Sequence, residues 1–471
     1  MRELPNGWLW TTLGEACEIT QGQSPPGSSY NATGHGLPFF QGKADFGELH
    51  PTARSWCSAP KKLAEAEDIL ISIRAPVGPT NIAEGRCCIG RGLAALRARD
   101  DIHQRYVLHW LRLSEPELAH KASGSTFASV TGSQLAAHPL PLAPLTEQRR
   151  IVSEIEKQLS TLDSATNNLR LVAAKAALYR NSYLNTIFGR SSLYSLDPDA
   201  RESSAALAEV VQERRSLQRG RRAVEPMPPE TVEDLPLPPG WIVASIDQVC
   251  SQVTDGEHIQ PPYQEDGLPM LSATHVRGDS VTFAGAGLIR AEAFAAARAR
   301  CAPAMGDILV VSVGATTGRV GKVKTSEPFA LVRSVLLLKP LIKADFLLRW
   351  LQSLHAQKWI KRASGSTAQP HLYIRDIKRM PIPFAPPPVQ DRVASAVEER
   401  LSDLAGLQAT VQAAASRAAR LRQAILKKAF EGKLVPPDPN DEPASVLLER
   451  IRAARAQATA RRAPRKREAR T

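Results

Sequence analysis

Three short segments of this chain occur twice, in the same order and about half a chain apart. They are a Leu-Pro-x-Gly-Trp opening (residues 4–8 and 237–241), an Ala-Ser-Gly-Ser-Thr run (122–126 and 363–367) and a proline-rich step into a polar stretch (139–150 and 381–392). A repeat of this length means that both halves use the same structural unit, so one fold assignment applies to both halves. Each half has roughly 240 residues, which is enough to bury a core of its own.

The charge of the chain favours a polyanionic partner. Its 60 Lys and Arg residues exceed its 47 Asp and Glu residues, which gives a formal net charge of +13. Basic surfaces attract phosphates and release their counterions, so nucleic acid is one candidate partner. Charge alone does not decide this, because many basic proteins bind no nucleic acid.

Neither a membrane span nor a secretory signal is expected. No run of about 18 uncharged apolar residues occurs, and the first residues, with Glu3 and Pro5, lack a secretory pattern. The six cysteines are scattered and form no Cys-x-x-Cys pair, so we expect small buried thiols in a reducing compartment. These features predict a cytoplasmic protein.

Each half begins with a strand-rich globule. Residues 67–73 and 306–313 are apolar runs that enter from a turn and leave into a loop of small residues, which is typical of buried strands. Short amphipathic helices are expected at 106–113 and 346–354, with a tryptophan at the same place in each. Strand candidates outnumber helix candidates and turn residues are dense. The predicted fold class is therefore α+β.

A long helix follows each globule. Residues 145–188 contain neither proline nor glycine, their apolar residues recur at steps of three and four, and the pattern returns after the prolines at 386–388. Each helix would have about 40 residues and a length of roughly 60 Å. Such a stripe also suits ordinary core packing, but its length and its repetition favour pairing of the two copies. The seam of this pair is predicted to contain Ile151, Ile155, Leu159, Leu162, Leu169, Val393, Val397, Leu401, Leu404 and Val411.

We predict that the two long helices form an antiparallel coiled coil. This arrangement relates the two copies by a pseudo-twofold axis and places the two globules at opposite ends of a rod. Thr166 and Gln408 hold equivalent seam positions, where a polar residue is expected to fix the register.

The boundaries of these elements divide the chain into six segments. They are a first globular domain (1–144), a first long helix (145–190), a short helix with a basic segment and a proline-rich linker (191–236), a second globular domain (237–385), a second long helix (386–434) and a C-terminal short helix with a basic tail (435–471). Arg214 and Arg215 are counted with the basic segment. The basic segments and the helix surfaces are expected to dock partner proteins.

No catalytic constellation and no metal site is found in the sequence. It contains no Gly-x4-Gly-Lys-Ser/Thr phosphate loop and no His-Glu-x-x-His, and its histidines form no cluster with ligand spacing. Gln260-Pro261-Pro262-Tyr263 is similar to the Asp/Asn-Pro-Pro-Tyr loop of DNA amino-methyltransferases. It has Gln at the first position, and no glycine-rich cofactor loop precedes it, so a proline-rich surface turn is the favoured interpretation.

The residues expected to contact DNA lie on loops of the two globules. The duplicated Ala-Ser-Gly-Ser-Thr run offers small hydroxyl donors to a phosphate, although a tight turn leading into a helix explains it equally well. Arg and Gln side chains suit bidentate contacts in the major groove. The candidates are Gln41, Lys43, Arg74, Arg91, Ser123, Ser125 and Thr126 in the first half, and His275, Arg277, Arg319, Arg333, Ser364, Ser366, Thr367, His371 and Tyr373 in the second.

The whole chain resembles the DNA specificity subunit of type I restriction-modification systems. The likeness is carried by the duplicated order globule, long helix, globule, long helix and by the repeated segments at 4–8 and 237–241, 122–126 and 363–367, and 141–151 and 383–393. A further segment is 427–437, with its Phe-Glu-Gly-Lys-Leu run.

The resemblance implies that the two globules are target-recognition domains and that the chain itself catalyses no reaction. It implies double-stranded DNA, methyltransferase subunits and restriction endonuclease subunits as partners. S-adenosylmethionine and ATP would be used by those subunits, and this chain would hold no cofactor. The expected function is recognition of a bipartite asymmetric DNA site with a spacer of fixed length. Two alternatives stay open, namely a methyltransferase-like enzyme using residues 260–263 and a coiled-coil protein adaptor without DNA specificity.

Overall fold

The computed structural model divides the chain into two compact units. Unit 1 comprises Met1–Leu169 and Gln412–Thr471, and unit 2 comprises Arg170–Val411. The residues that the structure describes are 3–99, 101–122, 129–189, 200–217, 224–232, 235, 237–365 and 369–462. The division between the units falls inside the two long helices, so each unit contains one globule and a part of each helix.

The helices range from single turns to rods of more than 40 residues. In chain order they are α1 (Leu13–Ala16), α2 (Gln104–Lys121), α3 (Gly132–Ala136), α4 (Leu145–Gly189), α5 (Ala200–Leu217), α6 (Ile246–Val249), α7 (Ala291–Arg300), α8 (Ala344–Gln352), α9 (Leu354–Ala363), α10 (Ile374–Arg379), α11 (Pro387–Phe430) and α12 (Ala444–Arg462).

The strands are short. Those of unit 1 are β1 (Leu9–Thr12), β2 (Cys17–Gln21), β3 (Tyr30–Asn31), β4 (Leu37–Phe40), β5 (Trp56–Cys57), β6 (Leu63–Ala64), β7 (Ile69–Ser72), β8 (Thr80–Ile82), β9 (Cys87–Ile89), β10 (Leu93–Ala98) and β11 (Pro139–Leu142). Those of unit 2 are β12 (Ile242–Ser245), β13 (Cys250–Asp255), β14 (Leu268–Leu271), β15 (Val276–Arg277), β16 (Ser280–Val281), β17 (Gly287–Ile289), β18 (Ile308–Val311), β19 (Val320–Lys322), β20 (Ala330–Leu331), β21 (Val335–Pro340) and β22 (Pro381–Phe384).

The same frame is built once in each unit. In unit 1 it is a four-stranded antiparallel sheet in the order β2-β10-β7-β8 with a separate ribbon of β1 and β11, and in unit 2 it is β13-β21-β18-β19 with β12 and β22. The central strand β7 is buried at all four positions, as is β18, because each is covered on both faces. The mixed α+β content and the tandem repeat predicted from the sequence are thus present in the frame.

The two units differ in the segment inserted between the second and third frame strands. In unit 1 this segment supplies most of a five-stranded sheet in the order β3-β5-β4-β9-β6. In unit 2 it supplies the β15–β16 hairpin, α7 and two strands of the three-stranded sheet β17-β14-β20. One frame therefore carries two different inserts.

Helix α2 is longer than the sequence predicts. It extends over 18 residues and includes Pro116. In unit 2 the equivalent stretch is broken into α8 and α9 at Ser353, whose hydroxyl accepts a hydrogen bond from the Ala356 N–H at 3.2 Å. The serine therefore ends one helix and caps the next.

A buried glutamine joins each long helix to its globule. The Gln148 amide accepts from the His103 N–H at 2.9 Å and donates to the Ala143 carbonyl at 2.8 Å. In unit 2 Gln390 accepts from the Lys343 N–H at 3.1 Å and donates to the Ala385 carbonyl at 2.7 Å. In both units the buried amide thus satisfies one backbone N–H and one backbone carbonyl at the repeated proline-rich step.

The long helices contain 45 residues in α4 and 44 in α11, close to the predicted bounds. Both have one face on which buried or half-buried positions recur at steps of four and three residues, with one gap in α11 between Leu404 and Val411. Of the predicted seam residues, Leu162, Leu169 and Leu404 are half-buried. The buried ones are Ile151, Ile155, Leu159, Val393, Val397, Leu401 and Val411.

Contacts between α4 and α11 occur within each unit. In unit 1 Arg422 of α11 forms an ion pair with Asp163 of α4. In unit 2 the Tyr183 hydroxyl of α4 donates to the Ala396 carbonyl of α11 at 3.4 Å. The expectation that Thr166 and Gln408 fix the register finds no support, because the Thr166 hydroxyl donates to the Leu162 carbonyl of its own helix and Gln408 is exposed.

The short helices α5 and α12 pack onto the globules. In unit 2 the Ser203 hydroxyl donates to the Gly240 carbonyl at 2.7 Å, and in unit 1 the Ala444 N–H donates to the Gly7 carbonyl at 2.9 Å. Arg214 is 4% exposed and pairs with Asp247 at 3.2 Å. Its assignment to a basic docking segment was therefore wrong, since its charge is neutralised inside unit 2. Residues 218–223 and 463–471 lie outside the described residues.

All six cysteines are buried, as the sequence predicts. They lie on frame strands, on β5 and β9, and at the end of α7. Within the described residues, no helix is both long enough and apolar enough to cross a membrane.

Candidate nucleic-acid interface

In unit 1 the loops at one edge of the four-stranded sheet converge. The end of β2, the start of β10 and the end of β7 meet at this edge because neighbouring strands are antiparallel. The Gly22 N–H donates to the Leu93 carbonyl at 2.9 Å, and the Ile73 N–H donates to the Gly92 carbonyl at 2.9 Å. The turn at residues 90–92 is thus held between the other two loops.

The edge of unit 1 brings together the predicted DNA contacts Gln41, Lys43, Arg74 and Arg91. All four are exposed. Gly92 lies so close to the 41–42 backbone that a Cβ atom added to it would be 2.2 Å from the Gln41 carbonyl oxygen. Arg91 is therefore beside Gln41. Arg74 directly follows Ile73, whose N–H donates to the Gly92 carbonyl.

Unit 2 builds the same edge. The Gly256 N–H donates to the Val335 carbonyl at 3.2 Å, and the Ser312 N–H donates to the Ser334 carbonyl at 2.9 Å. Arg333 lies in the turn between these bonds, and its N–H donates to the Glu257 carbonyl at 2.9 Å. Arg333 is exposed and occupies the position that Arg91 has in unit 1, 242 residues earlier.

A cleft of about 440 Å³ opens beside Arg333. His371 is on its wall and is paired with Val313, in the loop after β18, by an isolated strand bridge. The rings of His371 and Tyr373 are 4.2 Å apart, and Tyr373 is 55% exposed. The lining residues are Glu257, His258, Gln260, Val313, Val332, Arg333, Ser334, Gln369 and His371.

The remaining predicted contacts of unit 2 gather at the β15–β16 hairpin. Arg277 is exposed, and its Nε donates to the Thr274 carbonyl at 2.9 Å. Arg319 is half-buried, and one of its Nη atoms donates to the Val276 carbonyl at 3.3 Å. His275 is only 7% exposed, and its Nδ1 lies 2.9 Å from the Ser272 N–H. The Nδ1 atom of His275 is therefore engaged within the protein, and contact of this residue with DNA stays a prediction.

The duplicated Ala-Ser-Gly-Ser-Thr run begins at the end of a helix in both units, with Ala122 as the C-cap of α2 and Ala363 as the last residue of α9. The predicted turn leading into a helix falls on 123–128 and 366–368, which lie outside the described residues. Ser364 is 7% exposed, and its hydroxyl donates to the Ile360 carbonyl of α9 at 2.8 Å. Its hydroxyl therefore serves the end of α9. The other candidates of this run, Ser123, Ser125, Thr126, Ser366 and Thr367, lie outside the described residues.

The Gln-Pro-Pro-Tyr segment is an irregular surface segment. Gln260 lines the cleft, and the Tyr263 ring packs over Gly287, where an added Cβ would be 2.2 Å from the ring. Tyr263 is 49% exposed. This placement agrees with a proline-rich surface turn.

Charged side chains of the frame are paired with opposite charges, whereas the arginines of the edge are not paired within the described part of the chain. Inside the frame, Arg97 pairs with Asp68 at 2.7 Å and Lys339 pairs with Asp307 at 2.8 Å. Within the described residues, the edge arginines Arg74, Arg91 and Arg333 have no carboxylate at ion-pair distance. The edge thus presents unneutralised guanidinium groups to solvent, which suits contact with phosphate or with guanine.

Sequence reasoning missed the cleft residues Glu257, His258 and Gln369. Glu257 and His258 are separated from β13 by one glycine, as Gln23 and Ser24 are from β2. An alignment of the two halves strand by strand would have found them, but the inserted segments hide that alignment.

Comparison with known proteins gives one family. The family described as the type I restriction modification DNA specificity domain matches residues 5–171 and 278–406, which is more than half of the chain.

Curated relatives carry the same description. A Methanocaldococcus jannaschii protein with the provisional name type I restriction enzyme MjaX specificity subunit is 40% identical over 157 residues, which cover 33% of this chain and 37% of that protein. The EcoBI specificity subunit of Escherichia coli is 23% identical over 482 residues, which cover 98% of this chain and 95% of that protein. The chain thus spans about a third of the first relative and almost all of the second.

Solved structures similar to the chain include an HsdS subunit of Thermoanaerobacter tengcongensis. It is 54% identical, with 35% of this chain and 41% of that chain covered at a TM-score of 0.32. An S subunit of M. genitalium is 16% identical, with 93% and 98% covered at a TM-score of 0.37.

Proposed function

This chain belongs to the type I restriction-modification DNA specificity family, and we propose that it selects the DNA sequence on which a type I restriction-modification complex acts. The observation that carries the proposal is the pair of equivalent basic edges, with Arg91 in unit 1 and Arg333 in unit 2. The chain itself catalyses no reaction. Methyltransferase and endonuclease subunits supply the chemistry, together with their S-adenosylmethionine and ATP, and the cytoplasm is where the complex meets cellular DNA.

Each globule reads one half of a bipartite site. The edge is common to both units, whereas the inserts that extend from it differ in sheet order and in sequence. Different inserts offer different side chains to the base edges, so the two half-sites differ in sequence. The recognised site is therefore asymmetric.

The long helices form an antiparallel coiled coil that spaces the two half-sites. The alternation of four- and three-residue steps on one face of each helix supports this proposal. So do the contacts Asp163 to Arg422 in unit 1 and Tyr183 to Ala396 in unit 2, because the residue number falls in α11 as it rises in α4. A pseudo-twofold relation of the halves then lets the globules approach DNA in opposite senses.

Exposed apolar residues on the long helices support docking of partner subunits there. Leu171 and Leu178 of α4 are 60% and 70% exposed, and Leu421 of α11 is 46% exposed. Packing of these side chains against a partner subunit would remove apolar surface from water.

The deciding experiment measures DNA binding of the full chain with the methyltransferase subunit of its host. We expect binding that selects one bipartite sequence and that weakens steeply as salt rises. Binding that ignores both sequence and salt would favour a protein adaptor. The chain alone, given S-adenosylmethionine and DNA, should transfer no methyl group; reproducible methylation would instead favour a methyltransferase that uses residues 260–263.

A further inference from the structure

The β15–β16 hairpin of unit 2 is held at its tip by an ion-pair network. Gly278 and Asp279 form the turn, with Gly278 at a φ of +59°, and Ser280 begins the return strand. The hairpin lies on β19 so closely that a Cβ added to Gly321 would be 2.5 Å from the Ser280 carbonyl oxygen. The hairpin carries Arg277, which is exposed.

Asp279 joins this hairpin to helix α8. One carboxylate oxygen of Asp279 accepts from the Arg349 guanidinium, and the other accepts from the Gln352 amide at 2.6 Å. Arg349 and Gln352 both belong to α8, and Arg349 is 3% exposed. A buried arginine needs such partners, because an unpaired charge in this position would be costly.

The same network reaches both long helices. The second Nη of Arg349 donates to Glu398 of α11 at 2.5 Å, and Arg180 of α4 lies 3.7 Å from the Asp279 carboxylate. The hairpin is therefore fixed by charge to three helices of unit 2.

The electrostatics of Asp279 favour its ionised form. Burial alone would raise the pKa of this carboxyl, but hydrogen bonds from Arg349 and Gln352 and the charges of Arg349 and Arg180 hold it below its ordinary value. The ion pair is thus present at neutral pH.

The described part of unit 1 has no arginine at the position of Arg349. His109 holds the place of Arg349, one residue before the tryptophan that is shared by α2 and α8. Within the described residues, both ring nitrogens of His109 lack a hydrogen-bond partner. Of the residues in this network, only Asp279 lies on the insert of unit 2, while its partners lie on helices that both units have.

We propose that Asp279, held by Arg349, is a positioning residue for recognition of the second half-site. It fixes the hairpin that carries Arg277 against the helices, so the bases read by this hairpin depend on Asp279 although Asp279 touches no DNA. The proposal rests on the proposed function, because it assumes that unit 2 reads DNA. Asp279 would then determine specificity from the side of the hairpin that faces the helices.

The test uses Asp279→Asn in the full chain bound to its methyltransferase subunit. Asn suits the turn after glycine, so the fold should be kept while the charge is lost. Selection from randomised DNA would first give the wild-type bipartite site, and binding to single-base variants of each half would then be compared. We expect discrimination at the second half-site to fall by about tenfold, which is the order of one lost base contact, and discrimination at the first to stay unchanged.

Matched variants separate positioning from stability. Asp345→Asn removes another α8 carboxylate that pairs with Lys322 of β19 but does not hold the hairpin, and it should leave discrimination intact. Asp279→Glu keeps the charge and should keep most of the discrimination at the second half-site. Unchanged discrimination in Asp279→Asn would overturn the proposal, as would equal losses at both half-sites with a lower melting temperature. A wild-type chain without sequence preference would instead overturn the proposed function itself.

Discussion

Arg91 and Arg333 hold the same place on two domains whose inserts differ. A contact made by both cannot distinguish two half-sites of different sequence, so its natural target is the feature that both half-sites share, the phosphate backbone. We expect base reading instead from residues found on one insert only, such as Arg277.

Substitution of the shared arginines should therefore weaken binding without changing specificity. For Arg91→Ala or Arg333→Ala we expect affinity to fall by a similar factor for all sequences, and the log–log salt slope to become shallower by about one. Arg277→Ala is the matched control and should relax the preference at a single position. Anisotropy titrations over a salt series would check this, and a base-specific loss for Arg91→Ala would assign it to base reading instead.

Two buried histidines should make unit 1 sensitive to acid. Burial lowers the pKa of His109 to about 3, helped by the charges of Arg112 and Arg105, and burial lowers the pKa of His138 to about 4. An unfolded histidine has a pKa of about 6.5, so the unfolded state binds more protons below that pH. The stability contributed by the neutral rings is complete above pH 6.5 and is lost as pH falls towards 4 and then 3.

Each of these histidines should steepen the pH dependence of unfolding by at most about 1.4 kcal/mol per pH unit. His109→Leu should reduce the slope between pH 6.5 and 4.5, measured by urea unfolding at several pH values. His120→Gln changes an exposed histidine of the same helix and should leave the slope as it is. A slope that is equal in all three proteins would contradict the assignment.

The candidate site shows how far single residues can be predicted from sequence. Arg91 and Arg333 were selected because Arg is the residue expected at a DNA contact; the structure places both on the exposed edge, and their contact with DNA stays a prediction. His275 and Ser364 were selected for the same chemistry, yet both are 7% exposed, since pairing inside the fold leaves no trace in composition. Chemistry can be read from the residue type, whereas exposure depends on long-range packing.

At the scale of the elements, the tail helix α12 is part of a domain rather than an appendage. Leu447, Leu448 and Ile451 belong to the same apolar core as Leu13 and Leu96 of unit 1. Leu447 is 1% exposed, while its neighbour Val446 is 39% exposed.

Truncation of these two neighbours should give very different results. Leu447→Ala leaves a cavity in the core and should lower the free energy of unfolding by about 2–5 kcal/mol. Val446→Ala changes a more exposed position and should stay within about 0.5 kcal/mol. Chemical unfolding of both variants would measure the difference, and similar small losses would mean that α12 is only loosely docked.

Element lengths and types were predicted best where the pattern is long. The bounds of α4 and α11 agree with the sequence within a few residues, because more than ten turns of one period leave little ambiguity. The inserts were not predicted in detail, because strands of two or three residues such as β5 and β15 carry no periodicity to read. The break between α8 and α9 rests on one serine, a signal too local to stand out.

At the scale of the whole molecule, the spacing of the half-sites should follow the length of the paired helices. Seven residues inserted at equivalent seam positions of both α4 and α11 keep the apolar stripe and add about 10.5 Å. At about 3.4 Å per base pair, the unread gap should grow by about three base pairs. Methylation mapping of the host would show it, and a change in the half-site bases instead of the gap would refute a spacer role.

Exchange of one globule should change one half-site only. Replacing residues 1–144 with the corresponding globule of another family member substitutes the first edge and its insert, while 237–385 keeps the second. We expect a new first half-site, an old second half-site and an unchanged gap, again by methylation mapping. Changes in both halves would mean that the two globules do not read independently.

The burial of all six sulfhydryl groups makes this protein ready for fluorophore attachment at chosen sites. Burial raises the pKa of Cys17, Cys87 and Cys301 to about 12 and that of Cys88 to about 11, so maleimide dyes should spare these native groups near neutral pH. One new cysteine in each globule would then accept the donor and acceptor dyes, and the native cysteines would not have to be removed. Energy transfer between the dyes would then be measured in the full-length protein before and after a duplex is added.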